Sequence, residues 1–69
     1  MGKPYHLMWK SAQTGEWLTI CRSYSALEAT SAAAMISRNP KVVQRIELRD
    51  AGGRETLETI WDASWVEAS

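Results

Sequence analysis

A chain of 69 residues with one cysteine, one histidine and a formal net charge of zero has room for one domain, 1–69, and little to staple it with. Cys21 has no disulfide partner, Cys21 and His6 fall short of the ligand set of a structural zinc site, and eight basic residues against eight acidic ones set up no long-range field toward nucleic acid or an anionic membrane. No apolar run approaches the roughly 20 residues of a membrane span, and a core this small supplies only about 3 to 5 kcal/mol unaided, so reinforcement is expected from burial of the four tryptophans or from self-association.

Residues 4–23 predict a hairpin. Pro4 to Ser11 and Glu16 to Ser23 read as strands about an Ala12–Gly15 loop, with the glycine where a positive φ is expected. Setting Ser11 against Glu16 aligns Trp9 with Leu18, Leu7 with Ile20 and Tyr5 with Arg22 on one face. Lys10 with Trp17, Met8 with Thr19 and His6 with Cys21 then fall on the other. A slip of one residue would mix the apolar and polar faces, so Leu7, Trp9, Leu18 and Ile20 are expected in the core.

Residues 25–39 predict the helix. Ser25 followed three positions later by Glu28 has the form of a capping box, and Pro40 marks the stop by excluding Asn39 from helical geometry. At about 100° per residue, Ala26, Ala29, Ala32, Ala33 and Ile36 share one side. A face of alanines is thin, so the sheet beneath it must supply the bulk, with tryptophan the obvious source. Leu27, Ala34 and Met35 lie off that face, as a rim of the core or as a contact for a partner.

Residues 41–61 predict a second hairpin about Asp50–Gly53. With Arg49 against Arg54, the inner pairs are Ile46 with Leu57, Val42 with Trp61, Gln44 with Thr59 and Leu48 with Glu55; the outer pairs are Arg45 with Glu58, Glu47 with Thr56 and Val43 with Ile60. Residues 62–69 read as a tail or as one helical turn capped by Asp62. The fold class is therefore α+β: hairpin, helix, hairpin (ββαββ), a four-stranded antiparallel sheet with one helix on one face and the strand order open.

The expected neighbours His6 and Cys21 form the one constellation with catalytic potential, since an imidazole stabilises a thiolate. It lacks an orienting third residue and a pocket, so no enzyme, catalytic residue, metal or cofactor is expected. Gly52 and Gly53 lie at a hairpin tip and make no phosphate loop. The functional expectation is a non-enzymatic protein-binding module, an adaptor or inhibitor, alone or as a homodimer. Its contact would be the outer sheet face, with Met8, Trp17, Val43 and Ile60 as an apolar centre and Arg45 at the rim. The alternative is a weak single-stranded nucleic-acid binder on the same face, using Trp17, His6, Lys10, Arg45, Arg49 and Arg54, with Glu47 and Glu58 and the zero net charge against it. An unpaired cysteine and an N-terminal MGKPYHLMWK without a signal-type apolar run point to the cytoplasm.

Overall fold

Both hairpins turn on glycines whose backbone other residues adopt only at a cost. In the computed structural model, which describes residues 3–67, Gly15 has φ +74° and Gly53 φ +68°. A Cβ in that region costs about 1–2 kcal/mol. At the first turn the Ser11 hydroxyl accepts from the amides of Gln13 and Thr14, and the Ser11 amide donates to the Glu16 carbonyl at 2.9 Å. At the second, Asp50 Oδ1 accepts from the Arg54 amide at 3.0 Å and the Asp50 amide donates to the Glu55 carbonyl.

Strands β1 (Tyr5–Ser11) and β2 (Trp17–Ser23) leave the first turn, and β3 (Val43–Arg49) and β4 (Thr56–Asp62) the second. The fold is α+β on the ββαββ plan, and all three strand pairings are antiparallel, in the order β2-β1-β3-β4. The first strand of each hairpin is thus central, and β2 and β4 are the edges.

Helix α1 (Ala26–Ala32) starts as the sequence predicts, with Ser25 Oγ accepting from the Glu28 amide at 3.2 Å. The reciprocal half of the box is relayed: the Ser23 hydroxyl donates to the Glu28 carboxylate at 2.9 Å and accepts from the Ser25 amide. The helix tightens to a 3-10 turn over Ala33–Met35, and Ile36 is already extended, short of the expected end at Asn39. No basic side chain occupies the last turn to complement the helix dipole, and Ile36 packs on the core from its extended backbone. After Asp62, α2 (Ala63–Glu67) begins with Asp62 Oδ1 accepting from the Ser64 amide, the cap anticipated for the C-terminal turn. Helix α1 lies on β1 and β2, and α2 against β3 and β4.

The core holds Leu7 and Ile46, both fully buried, with Val43, Leu48 and Trp61 from the sheet and Ala29 and Ala33 from the helix. The alanine face therefore sits where the helical spacing puts it. Tryptophan supplies less of the bulk than expected: Trp61 is buried and Trp9 packs beside the core, but Trp17 lies on the opposite face and Trp65 is exposed.

Bulges correct the expected register. β1 and β2 pair as predicted from Lys10 to Met8; then Ile20 is passed over, so that Leu7 faces Cys21, His6 faces Arg22 and Tyr5 faces Ser23. Gln44 is passed over between β1 and β3, and Ile60 and Leu57 between β3 and β4. Each bulge forfeits part of a ladder, a net loss of about 0.5–1.5 kcal/mol per hydrogen bond. Burying a valine or isoleucine returns about 1.5–3 kcal/mol, and the bulges at Gln44 and Ile60 coincide with Val43 and Ile60 turning toward the helix. Strict alternation had put both outside. Leu57, expected inside, is passed over and exposed; Val42, just before β3, and Leu18, in its predicted register on the edge strand β2, are exposed as well.

Candidate functional site

The sheet face turned away from α1 carries Met8 and Lys10 from β1 and Trp17 from β2, as the sequence predicts, but its centre is ionic. On β3, Arg45, Glu47 and Arg49 alternate with the core residues Ile46 and Leu48, so all three point outward. The Glu47 side chain is only 5% exposed. Its Oε1 accepts from Arg49 Nε at 2.8 Å and from the Thr56 hydroxyl at 2.9 Å. Arg45 Nε lies 2.7 Å from Oε2 in an ion pair without hydrogen-bond alignment, and 3.6 Å from Asp62 Oδ2. Arg45 also donates to the Thr59 hydroxyl. A buried carboxylate so surrounded is tolerated because its charge is paired and its oxygens are used.

Arg49 joins this network to the rest of the face. It donates to the Gly53 carbonyl at 2.9 Å, approaches Met8 Sδ at 3.8 Å, and lies 4.0 Å from the centroid of the Trp17 ring. Its side chain is 16% exposed, so the indole covers the guanidinium in a cation–π stack. Lys10 Nζ stands 6.0 Å from the same ring. Toward the second turn, His6 is buried with Nε2 2.7 Å from Thr19 Oγ1, while Nδ1 makes no hydrogen bond among the described residues. Burial first, then the charges of Arg22 and Arg49, hold the imidazole below its usual range and keep it neutral. Asp62 is held low mainly by the Ser64 amide and hydroxyl, with a contribution from Arg45.

Of the residues expected to bind a partner, Met8, Trp17 and Arg45 share this face. Val43 and Ile60 do not: Val43 is 2% exposed in the core and Ile60 packs against it. The expected apolar centre is therefore reduced to Met8 and Trp17. His6 and Cys21 are not neighbours either, because the Ile20 bulge turns Cys21 to the core side opposite Leu7. Glu58 pairs with Leu48 rather than Arg45, and Arg54 belongs to the turn, where it lines an open cleft of about 610 Å³ with Lys3, Tyr5 and Asp50. The cleft's carboxylate, Asp50, is committed to backbone amides, chiefly that of Arg54, which lower its pKa. Among the described residues no cluster of His, Cys, Asp or Glu is arranged to hold a metal, and no helix is long and apolar enough to cross a membrane.

The chain matches no known protein family, curated protein or solved structure.

A second surface stands out on the other side. Leu27 is 76% and Met35 88% exposed, with Tyr24, just before the helix cap, at 75%. Leu27 lies on α1 and Met35 in the 3-10 turn that follows it, both away from the buried Ala29 and Ala33. Helical spacing already separates Leu27 and Met35 from the alanine face. Tyr24 carries no such signal, since it lies outside the helix.

Proposed function

We propose that the protein is a small non-enzymatic binding module, an adaptor or inhibitor, that docks another protein on its helix side through Leu27 and Met35, with Tyr24 at the margin. One observation carries this reading: three large apolar side chains stand almost wholly in water. Burying each would contribute about 1.5–3 kcal/mol. Of the eight large apolar side chains exposed among the described residues, these three are the most exposed, a notable expense for a domain whose described core holds seven buried apolar side chains. Such exposure concentrated on one surface is characteristic of an interface. A homodimer is the second reading, favoured by the same small core, because a second copy would add the burial the monomer lacks. A cytoplasmic setting belongs to the proposal and is supported by the unpaired Cys21.

Leu27→Asp and Met35→Asp test the reading. Both positions are exposed, so stability should stay within about 0.5 kcal/mol. Solution mass by light scattering over a concentration series separates the outcomes. A mass that doubles in the wild type and not in the variants assigns the stripe to a homodimer. A wild-type monomer that retains one protein from a lysate, lost by both variants, assigns it to a foreign partner. Variants that keep every association of the wild type, or a wild type that forms none, overturn it.

A further inference from the structure

The zero net charge of the chain conceals a division between its two sides. The outer sheet face carries Lys10, Arg22, Arg45 and Arg49 against Glu47 and Asp62, four positive charges against two negative. The rest of the chain is negative by the same margin, since the total is zero. Both acids are engaged by arginine: Glu47 is enclosed between Arg45 and Arg49, and Asp62 lies beside Arg45. Among the described residues the remaining cations, Lys10 and Arg22, make no ion pair. They lie level with Trp17 and His6 respectively on the β1–β2 ladder, about 13 Å apart at roughly 3.3 Å per residue. At the Lys10 end of this row the Trp17 indole lies against the Arg49 guanidinium.

We infer that this face binds single-stranded nucleic acid weakly, Trp17 stacking a base while Lys10 and Arg22 take phosphates. The occupant follows from charge and shape together. Cations spaced along a face that carries an aromatic ring suit a flexible polyanion with stackable bases, and every base has a π-face. In a duplex the bases are already stacked on one another, so the single ring would find nothing to cover. The ring is pre-positioned by the Arg49–Glu47 network, so little ordering is needed on binding. The site is independent of the helix stripe, on the opposite side of the sheet.

Fluorescence anisotropy of a labelled oligothymidine, titrated with the protein across a salt series, tests it. Binding at low salt is expected, with a log–log salt slope of about −1.4, from roughly −0.7 for each of two neutralised phosphates. Trp17→Ala should weaken binding about 5- to 150-fold, the range for one stacked base. Lys10→Ala with Arg22→Ala should flatten the slope while leaving the circular dichroism spectrum unchanged, which keeps the test open if Trp17→Ala perturbs folding. Leu27→Asp should bind as the wild type does, separating this site from the helix stripe. No binding at low salt, equal binding of inorganic polyphosphate with no loss in Trp17→Ala, or equal affinity for a duplex would each overturn the inference.

Discussion

Replacing Glu47 by alanine should remove most of the stability of the domain, although no apolar core residue changes. The carboxylate holds three partners, and each is weighted by its exposure. Arg49, 16% exposed and hydrogen-bonded at 2.8 Å, would be left as a nearly buried cation without its acceptor, a loss of about 1.5–3 kcal/mol. The Thr56 hydroxyl loses a partner at 2.9 Å, worth about 1 kcal/mol. Arg45 is 40% exposed and retains Asp62 and Thr59, so its loss is at most about 1 kcal/mol after solvent screening. The sum is about 2.5–5 kcal/mol, against about 3–5 kcal/mol available to a domain of this size. Urea titrations followed by circular dichroism, run cold so that the variant keeps a native baseline, would give the loss as a fall in midpoint at unchanged slope. Double-mutant cycles sharpen the test. Glu47 should couple to Arg49 by about 1.5–3 kcal/mol and to Arg45 by less than about 1, although Arg45 is the nearer of the two at 2.7 Å. Stronger coupling to Arg45, or a Glu47→Ala loss under about 1 kcal/mol, would refute the reasoning that burial rather than distance decides the strength of these pairs.

The two turn glycines should respond unequally to alanine. Gly15 opens on empty space and should lose only the backbone cost of about 1–2 kcal/mol, whereas a Cβ on Gly53 would sit 3.1 Å from His6 Nδ1, so Gly53→Ala should lose measurably more in the same urea titration. His6 makes stability pH-dependent in a defined direction. Because the folded protein holds the imidazole neutral, unfolding takes up a proton below the ordinary pKa of about 6.5, so stability is full above that value and falls as pH drops toward the lowered folded pKa. Urea midpoints measured on either side of this window should differ, and His6→Gln should abolish the difference. Ala33→Leu should overfill the helix–sheet gap and cost about 1–3 kcal/mol, while Leu27→Ala, exposed on the same helix, should stay within about 0.5 kcal/mol. Thermal melts of the pair would show whether the alanine face is the buried one.

The plan of the fold was legible in the linear sequence because its signals are local. A serine three residues before a glutamate, alanines at helical spacing, and glycine turns between alternating runs each act through neighbouring backbone, and each is found where the sequence puts it. RIELR, with its charges two apart, likewise placed Arg45, Glu47 and Arg49 on one face. Register was decided only in three dimensions. Whether β4 skips a residue depends on what Ile60 gains by reaching the core beside Trp61, and that gain exists only once Ile46 and the helix face are in place. Three separate bulges, at Gln44, Ile60 and Ile20, took Val43 and Ile60 off the outer face and separated His6 from Cys21. Strand order was equally beyond the sequence, since both hairpins were read correctly in outline without any indication that β1 would lie beside β3. That adjacency surrounds the outward row of β3 with neighbours, and it turns Glu47 from one of eight acidic residues into a buried carboxylate between two arginines.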